Sequence, residues 1–236
     1  MPDTQASQRH FDAALIDLDG TLLDTIPDLA QAANAMRIEL CMPPLREAVL
    51  ATFVGKGVEN LVRRTLAASL ETADPDPELF ARAMQSFRHH YHLVNGDKSA
   101  IYEGVLEGLK AMRDQGLALA VVTNKPTEFT EPLLVRSGLA GFFQAVVCGD
   151  TCAKKKPDPE PLLHACALLD VDPSRTVAIG DSVNDALAAR AAGCKVLAVP
   201  YGYNEGHSVL SLDVDGIVNT LAEAAEWTAQ PQNLAT

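Results

Sequence analysis

Two aspartates at the end of a short apolar run form the residue pattern in this chain that is best suited to chemistry. The run Ala13–Leu18 is predicted to form a strand, and Asp17 and Asp19 stand two residues apart at its end. Side chains two residues apart on a strand share one face, so the two carboxylates should lie together. Neighbouring carboxylates repel each other unless a cation or a proton relieves them. The pair therefore favours a divalent metal, a shared proton or both, although an acidic turn at a strand end has the same pattern.

Three later segments place further polar groups beside apolar runs. Thr123 and Asn124 precede a predicted helix, where a hydroxyl and free amides suit a phosphate oxygen but also suit a simple helix cap. The lysines 154–156 supply cations or form a solvated basic loop. Asp181 ends another apolar run, and Asp185 lies four residues further on, a spacing that could place both on one helical face.

Short apolar runs alternate with amphipathic stretches along most of the chain. The predicted strands are Ala13–Leu18, Leu117–Thr123, Phe143–Val147, Thr176–Gly180 and Lys195–Val199. The predicted helices between them are Glu103–Gln115, Thr127–Ser137, Asp158–Leu169 and Asp185–Ala192. Continuous apolarity indicates strands that are buried on both faces. The pattern predicts an α/β fold with a doubly wound parallel sheet.

The stretch from Thr25 to about Lys98 interrupts this alternation because it contains no convincing strand. Apolar residues recur at helical spacing in three stripes, which begin near Ile26, Val58 and Leu79. We therefore predict an α/β core formed by residues 1–24 and 99–236, with residues 25–98 inserted as a helical domain after the first strand.

Composition excludes several classes of function. The chain has 236 residues, with 19 Lys and Arg against 31 Asp and Glu and a formal net charge of −12. Such a charge disfavours binding to nucleic acids or anionic membranes, since phosphate backbones require clustered cations. The five scattered cysteines and a polar start without an apolar signal core favour a reducing, cytoplasmic location. If the substrate is anionic, a local cation or a metal must attract it against this overall charge. The protein is expected to be a monomer or a homodimer.

The segment Asp17–Thr21, with sequence DLDGT, resembles the first motif of the haloacid dehalogenase superfamily of phosphohydrolases. The other three motifs follow in order at Thr123, at Lys156 and at residues 180–185 (GDSVND). This resemblance implies a Rossmann-like core with an inserted helical cap, and a phosphomonoesterase that depends on Mg²⁺. The partner it implies is a small anionic phosphate ester, the substrate. It also implies that Asp17 is the nucleophile and Asp19 the general acid and base.

The same resemblance assigns the remaining site residues. Thr123, Asn124 and Lys156 are expected to bind the phosphoryl group. The implied ligands of Mg²⁺ are Asp17, the backbone carbonyl of Asp19 and Asp181. The resemblance places Asp185 behind these ligands, with direct or water-mediated ligation left open.

The insert offers candidates for recognising the substrate. The segment Gly55-Lys56-Gly57 precedes a predicted helix, and its amides and lysine could hold a second anionic group, or it could be an ordinary glycine loop. Arg63 and Arg64 are predicted to be surface charges. This glycine segment, together with residues 23–29, 149–151 and 201–206, resembles the bacterial phosphoglycolate phosphatases, which implies 2-phosphoglycolate as the substrate.

Three alternatives remain open on the sequence alone. The first is a phosphatase of the same superfamily that acts on another small metabolite, such as a sugar phosphate. The second is a phosphomutase of the β-phosphoglucomutase type, which transfers the phosphoryl group to a sugar instead of water. The third is a receiver-like phospho-switch without turnover, which the large insert and the position of Asp19 disfavour.

Overall fold

The computed structural model describes residues 10–71 and 73–230. Most of the polar start of the chain and the last residues, 231–236, lie outside the described residues. The strands are β1 Ala13–Ile16, β2 Leu23–Asp24, β3 Ala100–Ile101, β4 Ala118–Val122, β5 Ala145–Val147, β6 Thr176–Gly180, β7 Lys195–Ala198 and β8 Gly216–Ile217. The α-helices are α1 Ile26–Glu39, α2 Glu47–Ala51, α3 Val58–Ala67, α4 Pro77–Val94, α5 Val105–Asp114, α6 Thr127–Arg136, α7 Glu160–Leu169, α8 Val183–Ala192 and α9 Leu221–Ala229.

A six-stranded parallel sheet forms the core, in the order β5-β4-β1-β6-β7-β8. The pairing of β1 with both β4 and β6 brings their carboxyl ends to one edge. Ile16 lies opposite both Val121 and Ile179, so the residues that follow these three strands emerge side by side. Open α/β sheets bind ligands at this edge.

Helices cover both faces of the sheet, which explains why its strands are apolar throughout. On one face, β1 residues such as Ile16 pack with residues of α5, α6 and α9. On the other face, Leu15 packs with residues of α7 and α8. The doubly wound α/β fold predicted from the apolar runs is therefore confirmed.

Helices α1–α4 lie between β2 and β3 and form the helical insert, which has a hydrophobic cluster of its own. This cluster includes Met36, Phe53, Leu61 and Phe87, all almost fully buried. Phe129 of α6 also belongs to the cluster, so the insert packs against the core through a shared aromatic side chain.

Two sets of contacts hold the segments that link the insert to the core. Strands β2 and β3 pair antiparallel where the chain leaves and re-enters the core. Asp28, which is fully buried in the first turn of α1, accepts hydrogen bonds from the backbone N–H groups of Gly96, Lys98 and Ser99 at 2.9–3.0 Å. The Ser99 hydroxyl donates to the same carboxylate at 2.6 Å. The returning linker is therefore tied to the start of the insert.

The sequence-based elements differ from the structure mainly at their ends. Helix α8 begins at Val183 and not at Asp185, because the Ser182 and Asp185 side chains cap its first turn reciprocally. Asp181 consequently precedes the helix and shares no helical face with Asp185. Strand β1 ends at Ile16, so Asp17 and Asp19 follow the strand and do not lie within it. The short elements α2, β2, β3 and β8 were not predicted.

Candidate active site

Lys156 is the cation around which two of the predicted acidic residues are arranged. Its ammonium lies 2.9 Å from Asp17 Oδ1 and 2.6 Å from Asp185 Oδ1, and it donates to the carbonyl of Val122 at 2.7 Å. The side chain is almost completely buried. Lys156 therefore neutralises charge on both carboxylates at the carboxyl edge of the sheet.

Asp181 completes an acidic cluster beside this lysine. Oxygen atoms of Asp17, Asp181 and Asp185 lie within 4.8 Å of one another. The Asp181 carboxylate accepts a hydrogen bond from the backbone N–H of Tyr203 at 2.6 Å and one from the Thr21 hydroxyl at 3.3 Å. The sequence placed these three carboxylates in one site, and the fold brings them together.

Burial and mutual repulsion disfavour the ionised forms of this cluster. Burial raises the pKa of Asp17 to about 7, with Asp185 and Asp19 adding to the shift and Lys156 opposing it. Burial, followed by the charges of Asp185 and Asp17, raises the pKa of Asp181 well above its ordinary value. A cation bound to these oxygens would relieve the repulsion, so the three carboxylates form a candidate metal site.

Asp185 holds its surroundings in place with both of its oxygens. Oδ1 contacts Lys156, while Oδ2 accepts from the Ser182 N–H at 3.1 Å and from the Ser182 hydroxyl at 2.6 Å. Gly180 lies so close that a Cβ atom there would stand 2.4 Å from the Asp185 Cβ. The carboxylate therefore positions Lys156 and caps α8 at once.

A pocket lies between the carboxyl edge of the sheet and the insert. The core contributes Asp17, Asp19, Thr123, Asn124 and Lys125 to its lining. The insert contributes Leu29, Val54, Gly55, Gly57, Val58 and Leu61. The candidate nucleophile and the candidate acid thus face one cavity whose opposite wall is mainly apolar.

Asp19 is held by partners that differ from those of Asp17. Its Oδ1 accepts a hydrogen bond from the Thr25 hydroxyl at 2.6 Å and one from the Lys125 ammonium at 2.8 Å. Thr25 lies at the start of the insert and Lys125 directly follows the Thr123-Asn124 pair. Neither residue was predicted to have a role, although both stand next to predicted motifs.

Asn124 fastens three segments of the site together. Its side-chain amide donates to the carbonyls of Lys156 and Gly55 at 2.9 and 3.0 Å, and its Oδ1 accepts from the Lys156 N–H at 2.9 Å. The amide therefore positions the lysine and joins the core to the insert. Thr123 lines the pocket, and its hydroxyl accepts from the Lys125 N–H at 3.2 Å.

Of the insert residues that were predicted to bind the substrate, the structure places some at the pocket and others away from it. Gly55 and Gly57 line the pocket, whereas Lys56 does not and instead forms an ion pair with Glu205 at 2.6 Å. Arg64 was expected at the surface, but that prediction is wrong: the residue is 5% exposed and pairs with the same carboxylate at 2.7 Å. The ion pair with Glu205 of the core explains why Arg64 is buried. The two residues are far apart in the sequence, so their pairing could not be predicted from spacing.

A parallel sheet with a carboxylate cluster and a buried lysine at its carboxyl edge, covered by a helical insert, defines the haloacid dehalogenase class of hydrolases. The family model for haloacid dehalogenase-like hydrolases matches residues 14–199. The chain belongs to this family.

Relatives with high identity cover nearly the whole chain. A phosphoglycolate phosphatase of Thiobacillus denitrificans is 50% identical over 213 residues, 90% of this chain and 93% of the relative. One from Nitrosospira multiformis is 50% identical over 214 residues, 91% and 94% of the two chains. The crystal structure of a predicted phosphoglycolate phosphatase from Haemophilus somnus superimposes with a TM-score of 0.87 at 31% identity, covering 94% of this chain and 99% of that one.

Proposed function

We propose that this hydrolase cleaves 2-phosphoglycolate to glycolate and inorganic phosphate. The observation that carries the proposal is that Asp17 and Asp19 face one pocket but have separate ammonium partners, Lys156 and Lys125. Two carboxylates in different electrostatic surroundings can perform different tasks, one as nucleophile and one as acid and base. The phosphoglycolate phosphatases that are half identical to this chain support the choice of substrate.

Asp17 acts as the nucleophile in this scheme. One of its oxygens attacks phosphorus, the bond from phosphorus to the ester oxygen breaks, and an aspartyl-phosphate forms. Asp19 gives its proton to the departing ester oxygen and so releases glycolate. Asp19 then takes a proton from water, whose oxygen attacks phosphorus and frees Asp17 and inorganic phosphate.

The buried lysine and its neighbours prepare this step electrostatically. The Lys156 ammonium, already 2.9 Å from Asp17, neutralises phosphoryl oxygens that approach the nucleophile. Thr123 supplies a hydroxyl at the pocket wall, and Asn124 keeps the lysine backbone in place. Phosphoryl transfer depends mainly on such positioning and charge neutralisation.

The donor set fits Mg²⁺, which prefers oxygen ligands in an octahedral arrangement. Asp17, the backbone carbonyl of Asp19 and Asp181 would hold the ion, while both oxygens of Asp185 are engaged by Lys156 and Ser182. When bound, Mg²⁺ neutralises phosphoryl charge and relieves the repulsion within the cluster.

Residues 25–98 act as a cap over the pocket in this proposal. The apolar side chains that the insert presents to the cavity would exclude water while the ester is cleaved.

Within the part of the chain that the structure describes, each helix is too short or too polar to traverse a bilayer. The five free cysteines fit our proposal that the protein is located in the cytoplasm, a reducing compartment.

A phosphate-release panel with Mg²⁺ tests the proposed function. It compares 2-phosphoglycolate with hexose, pentose and nucleoside monophosphates, pyrophosphate and an aryl phosphate, with the Asp17→Asn variant as the blank. The expected result is the highest kcat/KM for 2-phosphoglycolate. A clear preference for another ester overturns the substrate, and phosphoryl transfer to a sugar instead of water overturns the hydrolase in favour of a mutase.

A further inference from the structure

Lys125 places a buried ammonium in the active-site pocket, and the hydrolytic scheme uses it only as the charge partner of Asp19. Its side chain is 3% exposed, yet the residue lines the cavity. It directly follows the Thr123-Asn124 pair at the end of β4, and its ammonium shares Asp19 Oδ1 with the Thr25 hydroxyl at the start of the insert. Keeping a lysine charged at such a position needs compensating negative charge.

The contacts of Lys125 leave part of its donor capacity for a ligand. An ammonium carries three N–H donors. Within residues 10–71 and 73–230, its hydrogen-bond acceptor is Asp19 Oδ1 at 2.8 Å, and the ring of Tyr91 lies 4.8 Å from the ammonium. Asp19 and Tyr91, with the tyrosine hydroxyl counted as a second hydrogen-bond partner, leave to a ligand the third donor of a side chain that lines the pocket.

Lys125 is also the cationic side chain among the described residues that line the pocket. Among the described residues that line the pocket, the charged side chains are Asp17, Asp19 and Lys125. Lys156 is engaged by Asp17 and Asp185, and Lys56 is directed to Glu205. A second anionic group on a substrate that enters this cavity therefore meets Lys125 as its available partner.

The chemistry of the proposed substrate places that second anion near Lys125. In 2-phosphoglycolate a single methylene separates the carboxylate from the ester oxygen. Asp19 must contact that ester oxygen to protonate it, and Lys125 lies 2.8 Å from Asp19 Oδ1. The carboxylate of a substrate in a productive position therefore falls beside the ammonium and not at the far end of the cavity.

We propose that Lys125 is the specificity-determining residue that binds the carboxylate of the substrate. This inference rests on the proposed function, because it deepens the choice of a 2-phosphocarboxylate at the same site. The ammonium donates to Asp19 and to the substrate carboxylate together, which orients the ester oxygen toward the acid. Phosphate esters that lack the carboxylate lose this contact.

The first experiment compares kcat/KM for 2-phosphoglycolate and 2-hydroxyethyl phosphate, in which a hydroxymethyl group replaces the carboxylate. We expect Lys125→Met to lower the preference for 2-phosphoglycolate at least about tenfold, chiefly through KM, since charge-assisted hydrogen bonds are the strong ones. The matched control is Lys154→Met, which removes a lysine that is exposed and paired with Asp158. An unchanged preference in Lys125→Met, or a loss that appears in Lys56→Met instead, overturns the inference.

A second experiment covers the case in which Lys125→Met does not fold because Asp19 loses its partner. Calorimetric binding of 2-phosphoglycolate compares Asp19→Asn with Asp19→Asn/Lys125→Met, in which both members of the buried pair are neutral. The double variant should bind the ester about tenfold more weakly or worse, and equal affinities overturn the inference. The preference of the wild-type enzyme tests the proposed function separately, because it is measured without any change at Lys125.

Discussion

Glu205 of the core forms an ion pair with Arg64 of the helical insert at 2.7 Å, and the same carboxylate lies 2.6 Å from Lys56. Within the described residues, Nε and Nη1 of Arg64 are buried without a hydrogen-bond partner. The guanidinium therefore relies on Glu205 for compensation of its charge. Burial would raise the pKa of Glu205, but hydrogen bonds from Lys56 and Arg64 lower it below the ordinary value.

Replacement of Glu205 by Gln should lower the free energy of unfolding by roughly 1.5–3 kcal/mol, because a largely buried guanidinium loses its anionic partner. The matched control is Asp74→Asn, which breaks the exposed pair between Asp74 and Arg63 and should cost less than about 1 kcal/mol. Urea denaturation of both variants provides the measurement. Equal costs would show that the Glu205–Arg64 contact is energetically no different from a surface pair.

The two aspartates of the pocket should respond differently to removal of their charge. Asp17→Asn should abolish turnover of every ester because the nucleophile is lost. Asp19→Asn should slow alkyl esters most and an activated aryl phosphate least, since a good leaving group needs little protonation. Steady-state kinetics on one alkyl and one aryl ester measures this, with circular dichroism as the control for folding. Equal losses on both esters would contradict the role of Asp19 as an acid.

The raised pKa of Asp17 predicts that metal-free protein loses stability as the pH rises. A carboxyl whose pKa is 3.8 when unfolded and about 7 when folded binds more protons in the folded state between these values. Its contribution is therefore fully present below about pH 4 and is lost as the pH rises through about 7. Asp17→Asn removes this group, so its stability relative to the wild type should increase across that window.

Denaturation of wild type and Asp17→Asn in the presence of a chelator, at several pH values from 4 to 8, measures that difference. Added Mg²⁺ should stabilise the wild type more at high pH than at low pH, because protons and the metal compete for the same oxygens. A difference between the two proteins that is flat from pH 4 to 7 would contradict the pKa shift.

Gly202 should control the position of Asp181. A Cβ atom at residue 202 would lie 2.2 Å from the Cβ of Asp181, a separation that side chains cannot tolerate. Gly202→Ala should therefore displace Asp181, weaken Mg²⁺ activation and cost about 1–3 kcal/mol of stability. Gly141→Ala is the matched control, since no atom lies within 4 Å of a Cβ there. Activity titrated against Mg²⁺ gives the apparent affinity, which should fall only in Gly202→Ala.

Asp28 should be the anchor of the linker between the insert and the core. Asp28→Ala leaves the N–H groups of Gly96, Lys98 and Ser99, whose hydrogen bonds to Asp28 are partly buried, without their acceptor and should cost about 1–3 kcal/mol. Asp97 lies in the same linker but forms an exposed pair with Arg136, so Asp97→Ala should cost less than about 1 kcal/mol. Thermal melting of both variants distinguishes the two cases.

The sheet and the convergence of its acidic residues could be predicted from local patterns. Continuous apolar runs that end in Asp or Thr specify buried parallel strands, and the carboxyl ends of such strands meet at one edge. Asp17, Asp19 and Asp181 were therefore expected at one edge, whereas Lys156 was assigned to the site only by the resemblance to the haloacid dehalogenase superfamily. The structure places the Lys156 ammonium 2.9 Å from Asp17 and brings Asp17 and Asp181 together. The chemical roles of these residues, and the division of the chain at residues 25 and 98, stay predictions.

The shortest strands and helices could not be predicted from the sequence, because an apolar period can be recognised only in longer segments. Strands β2 and β3 have two residues each and α2 has five, which is too few to show an apolar period. Their stability comes from tertiary contacts, such as the antiparallel pairing of Leu23 with Ile101. The capping of α8 by Ser182 was visible in principle, since the serine stands three residues before Asp185.

The fold class, the family and the acidic cluster could be predicted from the chain, because they depend on the order of residues within single strands and the turns that follow them. Which cation faces which carboxylate becomes clear only in the folded protein: Lys125 with Asp19, Lys156 with Asp17 and Asp185, and Arg64 with Glu205. This is because an ion pair depends on distance in space. When two charged residues are far apart in the chain, no local sequence pattern predicts that they will pair.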